Sequence, residues 1–145
     1  MKLVELIYSS RMSAPLSMGG IVEILDVARP NNARFGVTGM LTFGAERFLQ
    51  SIEGPPEVIN GLYGNLMRDS RHGHLHIVGY REIAKRRFRD WSMGFYSDAA
   101  DGSLARAGLD ATAFDPEAMT LDQAVALLID MATQLKFASA QGVTA

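Results

Sequence analysis

Apolar and polar positions alternate along residues 2–9, so that Val4, Leu6 and Tyr8 share one face of a strand and Leu3, Glu5 and Ile7 the other. Ser13-Ala14-Pro15-Leu16-Ser17 is turn-like, with Ser17 placed as an N-cap, and Ile21, Ile24, Leu25 and Ala28 then recur at helical spacing. Pro30 is expected to end that helix, because it removes a backbone donor and crowds the preceding turn. Over residues 36–56, GVTGMLTFGAERFLQSIEGPP, a period of two appears twice. Val37, Gly39, Leu41 and Phe43 share one face of the first strand, and after a turn at Gly44-Ala45-Glu46, Phe48, Gln50 and Ile52 share one face of the returning strand. Pro55 and Pro56 suit a helix entrance and Glu57 the positive end of its dipole, while Val58, Ile59, Leu62, Leu66 and Met67 form an apolar face that Arg68 to Gly73 closes. Two further strands are predicted. One runs from about His74 to Ile83, and one over Trp91–Tyr96 puts Trp91, Met93 and Phe95 on one face and Ser92, Gly94 and Tyr96 on the other.

This order, βαββαββ, predicts an α+β fold: a ferredoxin-like mixed sheet with an added strand and two helices on one face, spanning residues 1–98. Residues 99–145 form a C-terminal helical extension for capping, output or oligomerisation. It opens with a polar stretch that has room for a helical turn near Ser103–Arg106. Thr120-Leu121-Asp122-Gln123 then has capping-box spacing, with Ala124, Leu127, Leu128 and Met131 along one stripe and fraying expected from Ser139. Since two helices on one side leave the other side bare, the terminal helix is expected to cover it or to meet a second subunit.

Gln50 stands where the strand pattern asks for a hydrocarbon, and an unpaired buried amide costs about 1–3 kcal/mol, so it needs a partner. Tyr8, pointing with the apolar set of its own strand, reads by itself as a core residue with a tethered hydroxyl. Asn31 and Asn32 read as turn formers after the helix; alternatively, one carboxamide pairs with the edge of a planar heterocycle.

Composition narrows the classes. The chain of 145 residues is 48% hydrophobic, carries a formal charge of −2 and has no cysteine. A single globular domain follows, without disulfides, thiolate metal sites or a cysteine nucleophile, and with no general adhesion to nucleic acid or anionic membrane. A cytoplasmic location is the expectation, since no stretch has the length of a membrane span. His72, His74 and His76 alternate but lack a suitably spaced carboxylate, so no metal is expected. No G-x-G-x-x-G follows a strand, and no nucleophile–base constellation can be named. The Lys85-Arg86-Arg87-Phe88-Arg89 run is either a solvated hairpin tip or a pyrophosphate contact.

LIYSSRMS at 6–13, NNARFGVTGMLTF at 31–43, FLQSIEGP at 48–55, RDSRH at 68–72 and AKRRFRDWSMGF at 84–95 together resemble the BLUF family, sensors of blue light using flavin adenine dinucleotide. The resemblance implies a non-covalent FAD, with FMN or riboflavin as shorter alternatives, and Tyr8 and Gln50 as the photoactive pair. It implies Asn32 at the polar edge of the flavin ring, Asn31 beside it, and Ile24 and Leu66 sandwiching it. Arg71 and His72 would lie toward the ribityl and phosphate groups, with Lys85 to Arg87 as further cations, and Trp91 and Met93 would belong to the strand that relays the signal. Ser51 and Asn65 depart from some relatives, which carry bulkier or basic residues there.

The implied chemistry is light-driven movement of an electron and a proton from Tyr8 by way of Gln50, leaving the amide flipped or tautomerised when charge returns. The short chain resembles members that act through a downstream protein partner and not as enzymes, and a homo-oligomer is expected. The rival readings are a flavin-dependent oxidoreductase and a colourless ferredoxin-like regulatory or oligomerisation module.

Overall fold

The computed structural model describes residues 2–13, 18–44, 46–96 and 114–140. Strand β1 (Leu3–Met12) lies between β3 (Arg47–Gly54) and β4 (His72–Ile83), antiparallel to both. Strand β2 (Thr38–Gly44) continues the sheet beyond β3, and the two-residue β5 (Gly94–Phe95) pairs parallel to β2, giving the order β4-β1-β3-β2-β5. This is the mixed ferredoxin-like sheet with an added strand.

Strand alternation divides two cores. Val4, Leu6, Leu41 and Ile52 meet Ile21 and Leu25 of α1 (Met18–Phe35) and Ile59 of α2 (Pro56–Met67). Ile7, Met40 and Leu49 point the opposite way and meet Ala124, Leu128, Met131 and Leu135 of α3 (Leu121–Ala140), so the terminal helix covers the face the first two leave open. Its entrance is a reciprocal capping box: the Thr120 backbone N–H donates to Gln123 Oε1 at 2.9 Å, and the Gln123 N–H donates to Thr120 Oγ1 at 3.2 Å. The helix runs to Ala140, and residues 141–145, on which most of the fraying expected from about Ser139 falls, lie outside the described residues. The Ser17 cap, the middle of the 44–46 turn and the helical turn near Ser103–Arg106 lie outside the described residues. Among those described, no helix is long and apolar enough to cross a membrane.

Several expectations are corrected. Helix α1 does not stop at Pro30 but runs to Phe35. Proline forfeits the bond to the Asp26 carbonyl, on a stretch where Asp26 and Val27 are exposed and water can replace it. The helix ends instead at Gly36, whose φ of +73° allows the Val37 N–H to reach back to the Asn32 carbonyl at 2.8 Å, a Schellman closure. Asn31 and Asn32 are therefore helical residues and not turn formers. Met67 is 64% exposed and falls off the apolar face of α2.

The last strand is shorter than the pattern suggests. Residues 91–93 bend, and Trp91 packs with the α3 core while Met93 joins the α1/α2 core, so the two do not share a face. Gly39 N–H holds the Trp91 carbonyl at 3.2 Å, and side chains of α1 hold the next two carbonyls.

Finally, two cations of the basic run, Arg86 and Arg87, are engaged by the protein itself, while Lys85 and Arg89 are exposed. Glu53, fully buried on β3, accepts from Thr38 Oγ1 (2.8 Å) and from the backbone N–H groups of Arg87 (2.9 Å) and Phe88 (2.7 Å). Fully buried Glu5 accepts from Arg81 Nε at 2.5 Å and Arg87 Nε at 3.0 Å. Arg86 donates to Thr38 Oγ1, to the Glu53 carbonyl and to the Gly36 carbonyl, the last at 2.7 Å. A carboxylate with no exposure must be paired: the Arg81 and Arg87 guanidinium groups do this for Glu5, and a hydroxyl and two backbone N–H groups for Glu53.

Candidate functional site

Between α1, α2 and the sheet lies a cleft of about 690 Å³ including its mouth. Its floor is a row across the sheet: Tyr8 of β1 pairs directly with Gln50 of β3, and Gln50 with Leu41 of β2. Ile24 and Ala28 of α1 form one wall, and Leu62 and Leu66 of α2 the other. Asp69, Arg71 and His72 line it where α2 gives way to β4.

The Tyr8 hydroxyl donates to Gln50 Oε1, and Gln50 Nε2 donates to Met93 Sδ at 3.2 Å. The one amide thus joins a phenol on β1 to a thioether beside β5. Burial pushes the Tyr8 pKa well above the ordinary phenol value, with Tyr63 and Asp69 adding to the rise. Tyr63 of α2 meets Tyr8 edge to face, ring centroids 5.8 Å apart, and burial raises its pKa also. Neutral phenols are the result on this side of the cleft.

At the other end, hydrogen bonds from Arg71 hold the Asp69 carboxyl down at about 2, and Asp69 in turn raises Arg71. Burial lowers the pKa of half-buried His72, favouring the neutral imidazole. Among the described residues, no cluster of three or more His, Asp or Glu could hold a metal ion.

Asn32 is 5% exposed and lines the cleft from the last turn of α1, its Nδ2 donating to the Ser92 carbonyl at 2.8 Å. Of the residues singled out from the sequence, Tyr8, Gln50, Ile24, Leu66, Asn32, Arg71 and His72 come together on the cleft wall. Met93 reaches it through Gln50. Three do not converge. Asn31 is exposed because its helical neighbour Asn32 takes the inward position; Lys85 is exposed on the loop that the buried glutamates anchor; Trp91 packs toward α3. Ser51 is fully buried on the α3 side of the sheet, and Asn65 accepts from Arg68 at 2.6 Å.

Ser10, Asp69 and Arg29 enter from the structure alone. Ser10 continues the Val4, Leu6, Tyr8 alternation and could have been found from it; its buried hydroxyl has no hydrogen-bond partner. Asp69 stands two residues before Arg71, a spacing that permits their fork-shaped pair. Arg29, which donates to the Met93 carbonyl at 2.9 Å, was hidden by ending the helix one residue later.

The family model described as sensors of blue-light using FAD, BLUF, matches residues 3–94. The chain is 29% identical over 92 residues to the photoactivated adenylate cyclase subunit beta of Euglena longa, covering 63% of this chain and 11% of that protein. It is 34% identical over 70 residues to the blue light- and temperature-regulated antirepressor BluF of Escherichia coli K12, covering 48% of this chain and 17% of that one. It therefore spans less than a fifth of the length of these two relatives. Among solved structures, the dark state of BlrB, a BLUF protein, matches with a TM-score of 0.74 at 31% identity, over 92% of this chain and 98% of that one. The photo-activated state of BlsA shares the fold, with a TM-score of 0.78 at 23% identity, over 90% of this chain and 94% of that one.

Proposed function

The chain belongs to the BLUF family, which senses blue light using FAD, and from that footing we propose that it is a photoreceptor whose Tyr8–Gln50 pair turns absorbed light into a changed hydrogen-bond pattern. The observation that carries this reading is the Gln50 carboxamide, held between a phenol donor and a thioether acceptor on the floor of the cleft.

The cleft suits FAD. Apolar Ile24 and Leu66 line its two helical walls and would flank a flat ring. Asn32, Gln50 and the unpartnered Ser10 hydroxyl would meet its polar edge, and the Arg71 guanidinium would meet the phosphates. When bound, FAD supplies a blue-absorbing chromophore that is a strong oxidant in its excited state.

Tyr8 is the oxidisable side chain on the floor, and because burial keeps its phenol protonated, an electron leaves readily only if the proton can leave too. Gln50 offers that path: its Oε1 accepts from Tyr8, and of its two Nε2 hydrogens one is given to Met93 Sδ while the other could pass to the bound flavin, which would also take the electron. Electron and proton both return to Tyr8, and no covalent bond is made. What persists is the amide's orientation. With its ends exchanged, Nε2 faces Tyr8 and Oε1 faces Met93 Sδ, which has no proton to give, so the link to the 91–95 segment is broken. The net change in hydrogen bonding is worth about 1–3 kcal/mol, enough to bias a two-state element.

That element, in this reading, is the 91–95 segment with α3, whose Leu135 lies against Gly94. Residues 1–98 are the sensor and 99–145 the output extension, passing the signal to a protein partner within a homo-oligomer and catalysing no reaction of its own. The cysteine-free composition suits work in a reducing compartment such as the cytoplasm. The deciding experiment is a visible spectrum of the FAD-loaded protein before and after blue illumination. A red shift that decays in darkness is expected; a spectrum indifferent to light overturns the reading, and rapid bleaching by NADH in darkness points to an oxidoreductase.

A further inference from the structure

We infer that Arg29 is a positioning residue that sets where Met93 stands and thereby governs the return of the receptor after light; this rests on the reading of the Gln50–Met93 contact given above. The segment carrying Met93 has little ladder to hold it. Among the described residues, strand β5 pairs with β2 at Met40–Gly94 and Leu41–Phe95, with one backbone bond on either side, Gly39 N–H to the Trp91 carbonyl and Tyr96 N–H to the Leu41 carbonyl, each 3.2 Å. So short a strand does not by itself fix the rotation of the peptides before it.

Helix α1 does. Asn32 Nδ2 grips the Ser92 carbonyl at 2.8 Å and Arg29 Nε grips the Met93 carbonyl at 2.9 Å. The two residues are three apart, on one face of the helix, so they hold consecutive carbonyls of the same bent segment. The guanidinium bond is charge-assisted and directional, and it fixes the peptide whose side chain reaches Gln50 Nε2. Asn32 also lines the cleft, so its removal disturbs the ligand site. Arg29 is exposed and lies outside the cleft wall, so it can be changed with the wall intact.

The clamp stabilises the arrangement in which Met93 Sδ accepts from Gln50. Without it that arrangement is less favoured, and the drive back to it after light is weaker. Trp91 is the single tryptophan of the chain and sits two residues from the clamp, so its emission reports the segment directly.

The test compares the FAD-loaded full chain with Arg29→Ala and Arg29→Lys. In Arg29→Ala, flavin content and the size of the red shift should match the unmodified chain, while dark recovery slows roughly tenfold, a barrier change of about 1.4 kcal/mol, and Trp91 emission differs already in darkness. Arg29→Lys keeps a cationic donor and should restore both. Recovery that is unchanged or faster in Arg29→Ala, with Trp91 emission as in the unmodified chain, overturns the role of Arg29 and leaves the photoreceptor reading standing. Absence of a red shift in the unmodified chain overturns that reading, and this inference with it.

Discussion

Tyr8 and Gln50 stand directly opposite one another on β1 and β3, and the phenol of the first donates to the carboxamide oxygen of the second. Their meeting is a consequence of sheet register, which runs unbroken from Val4–Gly54 to Arg11–Arg47. A slip of one residue would turn one of the pair toward α3. The function proposed for the site is therefore held by backbone pairing over the full length of two strands.

Gln50→Leu removes both the acceptor for Tyr8 and the donor to Met93 while keeping an apolar side chain of similar size on the cleft floor. The purified variant should retain FAD, measured by its visible absorbance, and give no light-minus-dark red shift.

Tyr8→Phe should also abolish the photocycle, and loss of the hydroxyl bond should lower stability by about 1 kcal/mol. It has a pH signature as well. The folded-state pKa of Tyr8 is raised above its ordinary 10.0, so the folded protein keeps a proton that the unfolded chain releases in alkali. Its contribution to stability is complete below pH 10 and lost as pH rises beyond it. Urea midpoints compared at about pH 9 and pH 11 should fall less in Tyr8→Phe than in the unmodified chain.

Asp69 gives the opposite sign. Its carboxyl is lowered from 3.8 to about 2 by Arg71, so its stabilisation is present above pH 3.8 and lost as pH falls through about 2. The Arg71 side chain is 61% exposed, so the pair contributes no more than about 1 kcal/mol. Asp69→Asn should remove that part of the acid-side slope in urea titrations between about pH 4 and pH 2.

Glu53→Gln tests the anchor of the loop before Met93. The new amide can still accept from Thr38 and the Phe88 N–H through its oxygen, but its NH2 then faces the Arg87 N–H, donor against donor. A loss of about 1–3 kcal/mol in urea unfolding is expected, with faster hydrogen exchange at the Phe88 amide.

Much of this site is legible without coordinates. The alternation of Val4, Leu6 and Tyr8 and of Phe48, Gln50 and Ile52 places a phenol and an amide among apolar neighbours, and helical spacing puts Ile24 and Leu66 on inward stripes. Thr120 and Gln123 announce the terminal helix through a capping motif that closes as the spacing implies. These features are local: side-chain period and capping depend on residues a few positions apart.

What the chain order alone determined is the set of strands and helices, their faces, and the presence of an amide that had to find a partner. The tertiary structure decided how α1 ends, which asparagine turns inward, what engages Arg86 and Arg87, and that Met93 and not Trp91 meets Gln50. Each of those outcomes turns on contacts between distant positions. Glu53 reaches the Arg87 N–H 34 residues away, and Arg29 reaches the Met93 carbonyl 64 residues away. Periodicity describes the surface each element offers; a buried charge or an unpaired carbonyl takes its partner from whatever the packed fold brings beside it.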